Sequence, residues 1–297
     1  MRIGARIRHE LARRAPRLEE AAVQANWRRR NRTRAFSPAR VTDPSQQVLV
    51  AALSRDGFAV TSFEELFGGR SMFDEAARHA RRLYEDQPSK PDATAGTKAT
   101  YLTKLAAESF EADDPFVRIA LHPAALNVAN GYLRLRSSLR ALELWHTRPN
   151  PGPAVQTQLW HRDADDVMNV KMFVYFTDVR PSAGPLTYAP RTHPLGDRRR
   201  AVAEHDAHGR SNDGQMATVV PEPEWRVLEG GPGTIVFADT CGYHKQLKPE
   251  SEERIALMAH YVSGTPYVPR VLELRAVEPA ALSEDQHYAV FDAPPAR

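Results

Sequence analysis

The feature that most restricts the fold is a series of short apolar segments in the second half of the chain, separated by proline and glycine turns. These segments are residues 139–145, 155–160, 170–177, 186–188, 234–238 and 255–262. Several short segments at such spacing are typical of strands in an antiparallel barrel or sandwich. The sequence therefore predicts that this half of the chain is a β domain.

Helical patterns precede the β region. Apolar residues recur at helical spacing in several stretches, and capping signals mark where some of these stretches begin or end. The predicted helices are residues 46–56, residues 73–84, one beginning at Asp114-Pro115 and one after Pro123. Gly57 should end the first helix before an apolar strand over residues 58–60, and residues 87–97 should form a loop. We therefore expect a mainly β fold with flanking helices.

Charge is concentrated at the N-terminus. The first 43 residues hold twelve arginines and four acidic residues, a balance of +8 in a chain of net charge +3, so the remainder carries −5. A mildly acidic body gives no reason to expect a nucleic-acid-binding surface, and the arginine cluster at residues 28–34 would at most be an accessory arm. We divide the chain into an arginine-rich arm (1–45), which is either solvated or a surface helix, a main domain (46–270) and a C-terminal extension (271–297).

The single cysteine bears on the cellular compartment. Cys241 has no partner for an intramolecular disulfide, so a reducing compartment is expected, and the cytoplasm is the default. The N-terminal segment has no apolar core typical of a signal peptide, and no run of 18 apolar residues could span a bilayer. Glu10, Glu19 and Glu20 argue against a transit peptide. We expect no membrane partner.

Two histidines and an aspartate form a candidate metal site. His161 and Asp163 are two residues apart at the end of a predicted strand, so their side chains should share a face. His244 follows another apolar strand about 80 residues later. Two neutral imidazoles and one carboxylate can hold Fe(II) and leave coordination positions open for substrate and O₂. Ten residues after His244 comes Arg254, which could bind a carboxylate through two parallel hydrogen bonds.

Other residues near these strands compete for the same roles. Asp165 and Asp166 do not keep both the parity and the short spacing of Asp163, and we interpret them as loop residues. His146 and His193 also lie near strand ends, but capping or hydrogen-bonding roles are more common for such histidines. Cys241 is interpreted as a small buried thiol rather than a redox switch. Trp160 has the opposite parity to the ligands, which favours core packing.

These motifs together resemble the phytanoyl-CoA dioxygenase family of 2-oxoglutarate oxygenases, from about residue 46 to 265. The resemblance is carried by Asp56-Gly57-Phe58, the helical region 116–133, His161-x-Asp163, the strand 170–176, the stretch Gly184 to His193, His244 and Arg254. The region of His193 is similar to a Pro-Gly-Ser-His turn of the family, with Arg191 where glycine is usual.

The resemblance implies a double-stranded β-helix, also called a cupin-like jelly roll, that uses Fe(II), 2-oxoglutarate and O₂. It implies that His161, Asp163 and His244 hold iron and that Arg254 binds 2-oxoglutarate. On the strand 170–176, Lys171 and Phe173 have the parity of the metal side, so they are weaker candidates for the cosubstrate pocket. The expected activity is hydroxylation, or another oxidation, of an unactivated C–H bond in a small molecule. The Arg- and Ala-rich composition points to a natural-product pathway.

Two further expectations remain open at this stage. A non-catalytic metal-binding β-barrel is the alternative function, and Arg254 argues against it because a structural metal needs no arginine nearby. Residues 194–229 are polar and show little strand pattern, so we interpret them as an insertion that forms a mobile cover over the active site.

Overall fold

The computed structural model describes residues 17–86, 98–106, 108–201 and 203–295. Eleven strands occur in these ranges: β1 Phe58–Ser62, β2 Leu102–Lys104, β3 Ser109–Glu111, β4 Ser138–Thr147, β5 Val170–Tyr175, β6 Leu186–Tyr188, β7 Arg226–Leu228, β8 Thr234–Ala238, β9 His244–Gln246, β10 Arg254–Val262 and β11 Glu273–Arg275. The α-helices there are α1 Arg17–Arg30, α2 Pro44–Asp56, α3 Phe63–Phe67, α4 Ser71–Glu85, α5 Pro115–Ala120, α6 Pro123–Leu133, α7 Asp213–Ala217 and α8 Glu284–Phe291.

Two antiparallel sheets form the centre of the molecule. The large sheet has six strands in the order β1-β8-β5-β10-β4-β2, and the small sheet has three in the order β7-β6-β9. A third pairing, β11 with β3, is parallel and joins the C-terminal region to the segment before α5. The prediction of a mainly β, jelly-roll-like fold with flanking helices is confirmed, with two sheets rather than a closed barrel.

The two faces of the large sheet bury different partners because side chains alternate along each strand. Val170, Met172 and Val174 of β5 pack in the main core with residues of α2, α5 and α6. On the opposite face, Tyr175 and the half-buried Phe173 pack in a smaller core that contains Leu186, Tyr188 and Leu228 of the small sheet. The helices therefore support one face of the large sheet, and the small sheet covers the other.

The junction between α2 and β1 shows how local sequence sets the chain direction. The Asp43 carboxylate caps α2 by accepting from the Gln46 amide at 3.0 Å, and Gly57 ends the helix with φ +88°. A Cβ atom at Gly57 would lie 2.5 Å from the Tyr188 hydroxyl, so both conformation and space require glycine there. The predicted helix, its glycine stop and the following strand are all observed.

One predicted strand is wrong. Residues 155–160 contain a 3₁₀ turn, Gln156–Gln158, and Gln156 has φ +55°. The Gln158 side chain is buried, accepts from the Val155 amide and donates to the Asn150 side chain. These local hydrogen bonds take the place of a ladder, so apolar residues alone were a poor guide to this stretch.

The ends of the chain pack on the domain where the structure describes them. Trp27 of α1 is buried, and Arg34 donates to the Arg136 carbonyl and to Asp292. Residues 1–16 of the predicted arm and the predicted loop 87–97 lie outside the described residues. Within the described ranges, no helix combines the length and apolar character needed to cross a membrane.

The insertion contains more structure than its composition predicted. Ala203, Met216 and Val220 are buried in a cluster with Trp160 and Tyr243, and β7 at its end pairs with β6. Ser211 exchanges two backbone hydrogen bonds with Trp160, next to His161. One strand of three residues therefore lies at the end of the segment, and part of the segment is packed against the chain that carries the candidate ligands.

Candidate metal and cosubstrate site

The structure brings His161, Asp163 and His244 together, although they come from two separate chain segments. His161 and His244 form an isolated antiparallel bridge with backbone N–O distances of 3.0 Å in both directions. The Asp163 amide donates to the Thr240 carbonyl at 2.8 Å. These backbone hydrogen bonds align the two segments, so the three side chains converge without belonging to one continuous strand.

The three side chains could hold a metal ion. The Asp163 carboxylate lies 3.7 Å from Nε2 of His161 and 3.7 Å from Nε2 of His244, and one ligand atom of each residue lies within 4.8 Å of the others. Nδ1 of His161 faces the Leu159 carbonyl at 2.8 Å, and Nδ1 of His244 faces the Gly242 carbonyl at 3.0 Å. A proton on each Nδ1 leaves the Nε2 lone pair free for a metal. Two imidazoles and one carboxylate fit Fe(II).

The charges of the three groups also suit metal binding. Burial and the neighbouring His161 lower the pKa of His244 to about 3, and burial lowers the pKa of His161. Burial alone would raise the pKa of Asp163, but Lys171 and the two histidines hold it well below its usual value. At neutral pH the site therefore offers two neutral imidazoles and a carboxylate anion.

Lys171 finds a carboxylate partner within the protein. Its side chain shares the face of β5 that carries Phe173 and Tyr175, and its ammonium group lies 2.5 Å from Oδ2 of Asp163. Burial alone would lower the pKa of Lys171, but Asp163 and other nearby acids raise it overall. Lys171 thus occupies one oxygen of Asp163, which leaves the other oxygen as the free donor of this carboxylate.

Arg254 lies at the start of β10, on the face of the large sheet that meets the small sheet. It donates to the Gly184 carbonyl at 2.6 Å and to the Thr147 hydroxyl at 3.4 Å, whereas its buried Nε has no hydrogen-bond partner. No carboxylate of the described residues pairs with it, and burial lowers its pKa. A partly buried guanidinium group without a carboxylate partner is the feature expected of a binding site for an external carboxylate.

Gln246 is a candidate residue that the sequence did not predict. It lies two residues after His244 on β9, so the two side chains share a face. In the small sheet Gln246 is opposite Leu186, which belongs to the core between the sheets. Its side chain is buried and the Nε2 donor has no acceptor. The spacing of two from His244 on extended backbone was the available signal, and the strand around it is only three residues long.

The alternative ligands lie in other environments. His146 contacts Glu253 at 2.9 Å, and the buried His193 contacts the Ser54 carbonyl at 3.2 Å. The Cys241 thiol accepts from Asn169, and burial raises its pKa well above the usual value, which does not favour a reactive thiolate. Trp160 is fully buried on the side away from the ligands, in the cluster of the insertion.

Asp166 has a structural partner that sequence patterns did not indicate. The Trp27 indole donates to one carboxylate oxygen at 2.9 Å, and the Ser263 amide donates to the other at 2.7 Å. Asp166 therefore connects the segment after the candidate metal ligands to α1 and to the end of β10. These contacts join residues far apart in sequence, so no local pattern could have predicted them.

The chain is similar to known proteins in its sequence profile and in its fold. A profile of the phytanoyl-CoA dioxygenase (PhyH) family matches residues 53–256. No curated protein sequence is significantly similar to the chain. The fold is similar to that of the epimerase SnoN, crystallised with Fe³⁺, alpha ketoglutarate and nogalamycin RO, at 20% identity, with a TM-score of 0.54 and coverage of 86% of this chain and 94% of SnoN.

Two further solved structures share the fold. EctD from S. alaskensis is 19% identical, with a TM-score of 0.53, over 80% of this chain and 88% of EctD. AviO1 from Streptomyces viridochromogenes is 17% identical, with a TM-score of 0.53, over 75% of this chain and 97% of AviO1. Because the identities are 20% or less, these structures establish the fold alone. The match to the family profile covers more than half of the chain.

Proposed function

Because the chain belongs to the phytanoyl-CoA dioxygenase family, we infer that it is a non-haem Fe(II)- and 2-oxoglutarate-dependent dioxygenase. We propose that His161, Asp163 and His244 hold the iron, with Lys171 keeping one oxygen of Asp163 away from it. Iron and 2-oxoglutarate, when bound, supply the activation of O₂ that oxidises an unactivated C–H bond. The convergence of the three ligand atoms within 4.8 Å is the observation that carries this proposal.

The cosubstrate pocket is proposed to lie between the sheets. Arg254 would bind the distal carboxylate of 2-oxoglutarate, and Gln246 would donate a further hydrogen bond. Both side chains have buried donors that lack an acceptor, and a dicarboxylate supplies the missing acceptors. Phe173 is half-buried on the same inner face and would exclude water from the cosubstrate.

The substrate is proposed to be a small molecule, and the reaction a hydroxylation or a related oxidation. Asp163 fills the ligand position that a halide would need, which argues against halogenation. The similarity to SnoN, which was crystallised with nogalamycin RO, supports a natural-product substrate. We propose that the enzyme is cytoplasmic, because a single cysteine suits a reducing compartment. We propose no nucleic-acid or membrane partner.

Succinate formation from 2-oxoglutarate tests the catalytic proposal without a known substrate. The protein with Fe(II), O₂ and 2-oxoglutarate should release succinate slowly, and His161→Ala or His244→Ala should release none. A non-catalytic metal-binding barrel would bind iron in the same way but form no succinate. That result with the iron-loaded protein would favour the alternative function.

A further inference from the structure

A second cavity lies between α1 and the end of α6, away from the candidate metal site. Its volume is about 310 Å³, near the lower end of small-molecule sites, which span about 300–1,000 Å³. None of His161, Asp163, His244, Gln246 and Arg254 lines it. The cavity is therefore separate from the proposed iron and cosubstrate site.

Three arginines line this cavity: Arg28, Arg32 and Arg134. All three are exposed, and none forms an ion pair with an acidic group in the described part of the chain. The neighbouring arginines differ, because Arg34 pairs with Asp292 and Arg136 pairs with Glu284 and Asp285. Among the described residues, the positive charge at the cavity therefore has no acidic counterion, while the adjacent positive charge is neutralised.

The rest of the cavity wall is largely apolar. Tyr132, Leu133, Leu135 and Met168 are buried, and Leu195 is partly exposed. Unpaired guanidinium groups beside an apolar wall complement a ligand with one anionic group and an apolar body. We propose that this cavity is a second binding site, which takes a small amphipathic organic anion.

Two residues that line the cavity form hydrogen bonds to the two segments that carry the candidate iron ligands. Trp27 lines it and donates to Asp166, three residues after Asp163. Tyr132 lines it and donates to Asp239 at 2.5 Å, five residues before His244. A ligand in the cavity would therefore contact side chains that hold these segments in place.

Binding of 8-anilinonaphthalene-1-sulfonate, measured by fluorescence titration on the full chain with saturating Mn(II) and 2-oxoglutarate, tests the proposal. This probe has an anionic group on an aromatic body, and N-phenyl-1-naphthylamine is the matched probe without the sulfonate. We expect the Arg28→Ala/Arg32→Ala double variant to weaken binding of the sulfonate by about tenfold. It should leave binding of the uncharged probe within about twofold, since that probe makes no ionic contact.

The matched control is Arg78→Ala/Arg81→Ala, which removes the same charge from two exposed arginines of α4. The control variant should bind the sulfonate like the wild-type protein. The cavity assignment is overturned if the sulfonate binds the Arg28/Arg32 variant with wild-type affinity, or if the control variant loses as much affinity. Equal weakening of both probes would overturn the recognition of an anion. The substituted arginines are exposed and form no ion pair with an acidic group in the described ranges, so the variants are expected to fold.

Discussion

The large sheet and the small sheet differ in how they are supported. The large sheet has helices on one face and the small sheet on the other, and its β10 runs for nine residues between β4 and β5. The small sheet has strands of three residues, and it packs beside the small buried cluster of the insertion, whose edge is formed by the partly exposed Val219 and Trp225. The large sheet with its helices, the base, is therefore packed on both faces, whereas the small sheet with the insertion, the cover, is thinner.

The candidate site is divided between these two supports. Arg254, Lys171 and Phe173 come from the large sheet, whereas His244 and Gln246 come from the small sheet. The segments around the ligands are held by specific side chains rather than by long ladders. Asn169, for example, accepts from the Thr240 amide and hydroxyl and donates to the Cys241 sulfur. The candidate ligands are therefore positioned in part by side-chain contacts outside the long strands.

Truncation of one core residue in each region should show the largest contrast. Leu257→Ala removes a fully buried side chain of β10 and should lower the free energy of unfolding by up to about 5 kcal/mol. Met216→Ala removes a fully buried side chain of the insertion cluster, where the partly exposed Val219 and Trp225 can move into the space. In denaturant unfolding, Met216→Ala should lower the free energy of unfolding by less than half as much as Leu257→Ala does. Equal losses would contradict the contrast between base and cover.

Asp239 should make stability depend on pH in the segment before His244. Burial raises its pKa to about 7, compared with about 4 for an unfolded chain. The folded state therefore holds this proton more tightly, and ionisation destabilises the fold as pH rises from about 4 to about 7. Asp239→Asn should gain stability relative to the wild type over that range, reaching about 4 kcal/mol near pH 8. If the difference in stability between Asp239→Asn and the wild type does not change with pH, then folding does not raise the pKa of Asp239.

More of the strands of the large sheet than of the small sheet could be predicted from local sequence. Strands β4, β5, β8 and β10 were predicted within about two residues, because each contains enough apolar residues between turn signals to indicate a strand. In the small sheet, β6 was predicted, whereas β7 and β9 were missed because their three residues include charged or polar side chains and show no apolar pattern. The three candidate ligands were identifiable from residue type and spacing. Gln246 and the contact of Trp27 with Asp166 depend on tertiary structure.

The mobile part of the proposed cover should be the exposed stretch of the insertion. Residues 204–208 are exposed, whereas Ala203 and Met216 on either side are buried. We expect trypsin to cleave near Arg198 to Arg210 several times faster in the free protein than with Fe(II) and 2-oxoglutarate under anaerobic conditions, because a filled site supplies contacts. Cleavage within α4 at Arg78 or Arg81 serves as the control. Equal protection in both states would make the insertion a fixed element.

The turn around Arg191 should give the smallest effect. Arg191 has φ +70°, a conformation that disfavours residues with a Cβ atom. Arg191→Gly should relieve this strain, but glycine also raises the conformational entropy of the unfolded chain, which opposes folding. We therefore expect the melting temperature to rise by no more than about 3 °C. Arg191→Ala keeps the strain and loses the contact with Asp197, and should not raise it. A higher melting temperature for Arg191→Ala than for Arg191→Gly would exclude backbone strain at this turn.

Anaerobic titration of the Fe(II)-loaded protein with 2-oxoglutarate tests the central claim most directly. The wild-type protein should bind about one iron per chain and develop a weak visible charge-transfer band when 2-oxoglutarate is added. Arg254→Ala removes charge-assisted hydrogen bonds that typically contribute about 2–4 kcal/mol, so it should weaken 2-oxoglutarate binding by about 30- to 1000-fold. Iron binding should be nearly unchanged in Arg254→Ala and abolished when His161, Asp163 and His244 are all replaced with alanine. Unchanged 2-oxoglutarate affinity in Arg254→Ala, or normal iron binding in the triple variant, would contradict the account.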